Sequence, residues 1–394
     1  MKKMRLKLLI QCASVVMISL AVLNHPTMAQ ERVPSVSASH VVPAEYLRGV
    51  GYAIDERVEI RNNRYLFRVR ADYGEFTALG LPMLELRLRE HHAIENARVL
   101  SRDSQIIRGA IEVVRQTPAG ARTLLSDPVG SLRRLPLGIQ ANVNTIVDPL
   151  ERRAGTKARR ELAAAIGADP ETRNPVLDFY LDQLAIRKNI GRSATQTGLG
   201  FAVPGLGLLA TNETIREQVR NTGPRQLAND VHRRLSALRI GNQISVSFAN
   251  DLQLTSTEKL LFVSHLETLK GVGRLEALVT SATNAKSEAS LLSQLQELEL
   301  LANLRRRFVI VDVLPLKIPV ARLKDGRFIG VAAVDIVHDA HALSGYVSEF
   351  RSAYPSQDVH LLVTGSVTPS ARSILQEARI DVLALSQTSG VEDR

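Results

Sequence analysis

The spacing of apolar residues changes twice along the chain, and those two changes limit what it can fold into. Tyr65, Phe67 and Val69 alternate with Arg64, Arg68 and Arg70, the two-residue period of a strand with one buried face. From Pro82 the spacing becomes three and four, the mark of helices burying one stripe. After Phe308 short β-rich runs return around Asp325-Gly326, a strong hairpin signal. The pattern predicts an α+β fold, mainly α, with a small N-terminal antiparallel β meander plus amphipathic helices over 45–150. A central helical bundle follows over 151–306, and a C-terminal α/β domain over 307–394. A chain of 394 residues has room for two or three such modules.

The meander is expected in Arg57 to Arg61, Arg64 to Ala71 and Tyr73 to Leu79, with Asn62-Asn63 as a turn. A charged helix through Leu84, Leu88 and Val99 lies against it, followed by a second helix from Ser104 to Gln116 and short turns over 118–150. In the bundle, Leu162 and Ile166, then Leu177, Leu181 and Leu184, then Leu227, Val231 and Leu235 mark three helices. Thr255 to Glu258 forms a capping box, and the helix it opens ends at Gly271 and Gly273. Asn284 is expected to cap a long helix running to Arg305, Arg306 and Arg307, cations placed where the macrodipole favours them. The last module reads as strands from Phe308, Val320 and Phe328, a helix from His341 to Ala353, a strand from Val359, a helix from Pro369 and a strand from Val382. The later strands are expected to be parallel, because each is reached through a helix.

Residues 1–29 have the form of a secretory signal peptide: Lys2, Lys3, Arg5 and Lys7, then an apolar run from Leu8 to Leu23, then Thr27-Met28-Ala29 with small residues at a cleavage site. The apolar run, broken by Gln11 and Ser14, is short of the ~20 residues a membrane span needs. Residues 30–44 read as a flexible lead. Four of the 50 basic residues and none of the 40 acidic ones lie in the leader, which leaves 46 against 40 and a mildly basic mature chain. Its basic spots sit beside acids and helix ends, so no nucleic-acid partner is expected. Cys12 is the single cysteine, so the mature chain would be cysteine-free, without disulfides, thiol nucleophile or cysteine-ligated metal.

Few residues suggest chemistry. Asp335, His338 and Asp339 form the candidate catalytic group, at the carboxyl end of an expected strand where α/β sheets place ligands. His338, Asp339 and His341 are the candidate metal ligands, although their spacing matches no metal signature and Asp339 suits a helix N-cap. Thr364 to Ser370 turns from strand to helix, with Thr368 as cap and Pro369 at the first position. His91-His92 cannot chelate one ion from adjacent helical positions, and His91, His92 and His265 read as surface or half-buried residues. The run Gly198 to Ala210 reads as a close-packed helical hairpin, or as a peripheral membrane contact through Gly198, Phe201 and Leu206. Nothing in the chain calls for a cofactor.

Tyr73-Gly74-x-Phe76, Leu84-x-x-Arg87-x-x-Glu90, Arg160-Glu161-Leu162-Ala163, Ala168-Asp169-Pro170 to Asn174-Pro175-Val176-Leu177, and Thr364-Gly365-Ser366 with Ala371 and Leu375 resemble an uncharacterised family of exported bacterial proteins. That family has no assigned activity, substrate or cofactor, so the resemblance implies the domain plan and no mechanism. The reading is an exported, periplasmic or surface-associated, non-enzymatic binding or structural protein whose partner is a protein or envelope component. The alternatives are a hydrolase acting through the C-terminal domain and a membrane-associating protein using residues 198–210.

Overall fold

The computed structural model describes residues 34–101, 149–186, 213–338, 348–352, 355, 357 and 359–384. The leader, the expected helix from Ser104, the turns of 118–148 and the run Gly198 to Ala210 lie outside the described residues. The fold is α+β and mainly α.

The first sheet is built on the long strand β4 (Arg64–Ala71). One edge pairs antiparallel with β5 (Gly74–Leu79); the other is shared end to end by β3 (Arg57–Arg61) and β2 (Tyr52–Ile54), with β1 (Arg48–Gly49) beyond. Asn62 and Asn63 both take positive φ, 50° and 62°, which turns β3 into β4 in two residues with the twist a hairpin requires. Tyr65, Phe67, Val69 and Phe76 face inward, as their alternation predicts. Within the expected flexible lead the structure differs. Ala38 and Val42 are buried, and the Ala38 amide donates to Glu56 O at 2.7 Å, because this segment covers apolar surface of the first sheet region.

Helix α1 (Leu81–Ser101) crosses that sheet. The bundle follows as α2 (Pro149–Ala154), α3 (Lys157–Ile166), α4 (Pro175–Ala185), α5 (Glu213–Asn221), α6 (Pro224–Ala237), α7 (Asn242–Ala249), α8 (Ser256–Thr268), α9 (Leu275–Thr283) and α10 (Glu288–Arg307). The Thr255–Glu258 capping box forms, and Gly271 takes the left-handed φ of 86° just past the end of α8. Asn284 corrects the expectation made for it: it closes α9, and Ser287 starts α10 by accepting from the Ser290 amide. Two capping residues three positions apart serve two helices, so the polar cluster is legible while its division is not.

The second sheet has the order β12 (Ile380–Ala384), β10 (Val359–Val363), β8 (Phe328–Ala332), β7 (Pro319–Leu323) and β6 (Ile310–Pro315). β12, β10 and β8 are parallel and β8, β7 and β6 antiparallel, as their helical and hairpin connections require. A two-stranded parallel ladder joins β9 (Ile336–Val337) to β11 (Ser366–Val367), ahead of α11 (Pro369–Glu377). From Val36 onward the chain is one compact unit, with a single apolar core running from the first sheet through the bundle to Ile310, Val331 and Leu362 of the second sheet. A smaller cluster covers the opposite face around Val320, Val363 and Leu375.

Inside the main core lies a chain of charges. The Arg87 side chain, 1% exposed, donates to Glu90 Oε2 at 2.6 Å and to Glu288. Glu288 Oε1 accepts from Arg173 Nη1 at 2.8 Å, and Arg173 Nη2 donates to Glu258 Oε2 at 2.6 Å. Glu258 Oε2 also takes the Thr255 amide at 2.7 Å, completing the capping box. Glu90 receives Thr172 Oγ1 at 2.9 Å and Asn174 Nδ2 at 3.2 Å, while Asn174 Oδ1 caps α4. Next to this chain, Glu171 accepts from the Ser256 amide at 3.1 Å and Lys259 Nζ donates to Ala249 O at 2.9 Å. Four segments distant in sequence are thus pinned at one place: α1, residues 171–174, and the first turns of α8 and α10.

Removing one partner from a buried ion pair leaves the other charge without compensation, which costs about 3–5 kcal/mol. Glu288→Ala is therefore expected to lower the unfolding free energy by about that amount in urea titrations. The two arginines hold the Glu288 carboxyl below its ordinary pKa. Its contribution is then present above the unfolded-state pKa of ~4.3 and is lost as pH falls through the lower folded value. Acid unfolding should accordingly be shallower in Glu288→Ala than in the parent.

Candidate functional site

Asp335 is 8% exposed, and both its carboxylate oxygens are occupied by main chain. Oδ2 accepts the Tyr65 amide at 2.8 Å and Oδ1 the Leu81 amide at 3.1 Å. Leu81 opens α1, so Asp335 caps that helix from 254 residues away and ties the first sheet to the second. Burial nevertheless raises its carboxyl to a pKa of about 6, against the pull of the two amides. The Asp335 and Ile336 amides both donate to Asn63 O, and the His338 amide donates to Asn63 Oδ1 at 3.2 Å. The candidate catalytic residues Asp335 and His338 thus grip the hairpin tip, one through its carboxylate and both through main-chain amides. Asp339 and His341 lie outside the described residues, and among the described residues no three His, Cys, Asp or Glu side chains gather to hold a metal.

The loop after Thr364 is knitted to the same strand end. Thr364 Oγ1 donates to Val334 O at 2.6 Å and accepts the Val334 amide at 2.9 Å. The Ser366 amide donates to Asp335 O at 3.2 Å, and a Cβ on Gly365 would stand 2.0 Å from that oxygen, so only glycine fits. Thr368 caps α11 as its position predicts, its hydroxyl accepting the Ala371 amide at 3.3 Å. The histidine expectation is corrected at His91. Its ring is fully buried, with Nε2 2.7 Å from Val50 O and its face stacked at 5.6 Å on Tyr73, because α1 packs this face onto the first sheet.

The concave site formed by these elements is a cavity of about 200 Å³ between the hairpin tip Asn62–Arg64, the first half of α10 and the second sheet. Ser290, Ser293, Gln294 and Glu297 enter it from α10, at the spacing of one helical face. Ile318, Phe350 and Val363 supply apolar walls, and Lys317, His360 and Arg64 are the other charged or titratable groups around it. Gln294 Nε2 donates to Ser281 Oγ at 3.2 Å, whereas its Oε1 is buried without a hydrogen-bond partner. Burial lifts the Glu297 carboxyl to about 8, although the Ala333 amide and Arg64 act in the opposite direction. At neutral pH Glu297 is therefore mostly protonated and offers a hydroxyl donor one helical turn from Gln294 in the lining of the same cavity. Sequence reasoning missed this pair. The signal was the polar stripe Ser290, Ser293, Gln294, Glu297 beside the leucines of α10, which reads equally well as a solvated face.

Comparison of the chain with protein-family models, curated proteins and solved structures finds no match. No described helix is long and apolar enough to cross a membrane.

A carboxyl whose folded pKa lies above its unfolded value stabilises fully below the unfolded pKa, and that contribution is lost as pH rises through the folded one. For Glu297 the window runs from ~4.3 up to about 8. Glu297→Gln should remove this slope, so its Tm should fall less than that of the parent between pH 6 and pH 9 in differential scanning calorimetry.

Proposed function

We propose that the protein is an exported, non-catalytic binding protein whose ligand occupies the cavity between α10 and the second sheet. The ligand is a small, partly apolar molecule with a neutral head that both donates and accepts hydrogen bonds. The carrying observation is the partnerless Gln294 Oε1 on a residue that lines that cavity together with Glu297. A buried polar atom left unpaired costs on the order of 1–3 kcal/mol, a cost that a ligand donor would relieve. A protonated Glu297 can meet an amide head through two hydrogen bonds, donating to its carbonyl and accepting from its NH₂. The apolar walls take the remainder of the molecule. Export rests on the charged and apolar leader followed by small residues, and on a mature chain free of cysteine. The non-catalytic part of the reading rests on Asp335, whose oxygens are spent on the Tyr65 and Leu81 amides.

Benzamide joins an apolar ring to such a head and serves as the probe. Saturation-transfer NMR at pH 6.5 should show its ring protons in contact with the parent protein. The signal should disappear in Glu297→Ala and fade above pH 9, where the carboxyl is ionised. No signal in the parent, or an equal signal in Glu297→Ala, contradicts the proposal.

A further inference from the structure

The charges around the cavity between α10 and the second sheet do not balance. Arg64 donates to Ala289 O at 3.0 Å, and its charge acts on the Asp335 and Glu297 carboxyls. His360 Nδ1 lies 3.7 Å from Asp381 Oδ2, so a proton gained there is answered by a carboxylate on β12. Lys317 differs from both. It lines the cavity as an exposed residue, and among the described residues no ion pair or hydrogen bond reaches its ammonium group. Glu297, the one acid among the described lining residues, is mostly protonated at neutral pH and cannot serve as its counter-ion.

Topology fixes where this cation stands. Lys317 belongs to the turn joining β6 to β7, and Val320 of β7 pairs with Gly330 of β8, so the turn lies at the end of the sheet where β8 finishes at Ala332. The next residue, Ala333, gives its amide to Glu297. Lys317 and Glu297 thus share one end of the cavity, while apolar residues such as Phe350, Leu361 and Leu375 line the rest. A lysine ammonium is a compact point charge, and apolar walls nearby lower the local dielectric and strengthen its pull on an anion. One uncompensated positive charge answers the single negative charge of a carboxylate, whereas a doubly charged phosphate would be left half neutralised. Resting on the binding role given to this cavity above, we propose that its ligand is an amide that also carries a carboxylate, and that Lys317 holds the carboxylate.

The test is isothermal titration of the full chain after its leader, at pH 6.5 and low ionic strength. The probes are benzamide, the ortho, meta and para carbamoylbenzoates, and the matching benzenedicarboxamides, which copy their shape without the charge. At least one carbamoylbenzoate is expected to bind about fivefold or more tighter than its neutral copy, the range of one partly exposed ion pair. That advantage should vanish in Lys317→Gln, return in Lys317→Arg, survive in Lys324→Gln just past the far end of β7, and shrink as sodium chloride is added. Lys317→Gln replaces an exposed residue, so its circular dichroism and Tm should match the parent. Equal affinity for every acid and its neutral copy, or an advantage that persists in Lys317→Gln, overturns the carboxylate assignment while benzamide binding leaves the ligand site standing. No binding of any of these amides to the parent contradicts the binding role itself, and the carboxylate assignment with it.

Discussion

The structure depends on a set of charges held out of water. Arg87, Glu288, Arg173 and Glu258 form an unbroken series of ion pairs inside the main core, and each contact joins segments distant in sequence. Desolvating these groups is expensive, and the attraction between them compensates because each carboxylate of Glu258 and Glu288 meets at least one guanidinium at hydrogen-bonding distance, although the Nε atoms of Arg87 and Arg173 are buried without a partner. Apolar packing alone would let α1, α8 and α10 slide along one another, since leucine surfaces are tolerant of register. The ion pairs fix one register, with the N-termini of α8 and α10 facing α1. That arrangement in turn sets the polar stripe of α10 against the hairpin tip and the second sheet.

Asp335 plays the matching part at the first residue of α1. A carboxylate delivered from the second sheet takes the first amide of α1 and an amide of β4, so one residue orients a helix, a strand and a loop. Gly365 permits the close approach that completes this junction. The cavity is a consequence of the same frame: it opens where α10 meets the junction.

Local signals carried far. The alternation around Tyr65 and Phe67, the Asn62-Asn63 turn, the Thr255–Glu258 box, the Asp325-Gly326 hairpin and the Thr368-Pro369 helix start all involve residues within about four positions of one another, and each appears where its spacing places it. The longer-range roles were hidden. Glu258 is legible as half of a capping box, but its bond to Arg173 spans 85 residues. Arg87 and Glu90 look like a solvated i,i+3 pair until Glu288, 201 residues away, turns them into core. Asp335 reads as a ligand because acids at strand ends often are; its partners Tyr65 and Leu81 are main-chain amides, which leave no trace in residue identity. The same holds for Gln294 and Glu297, whose surroundings come from three separate parts of the chain.

The central claim is that the buried charges act as one unit. Arg87 and Glu258 are linked only through Glu288 and Arg173 in the described ion-pair series, which makes them the most direct probe. A double-mutant cycle of Arg87→Met and Glu258→Gln, read by urea unfolding with unchanged m-values, should give a coupling free energy of at least about 0.5 kcal/mol. Strict additivity of the two substitutions would mean that the pairs are independent, and would contradict this account of what holds the fold in register.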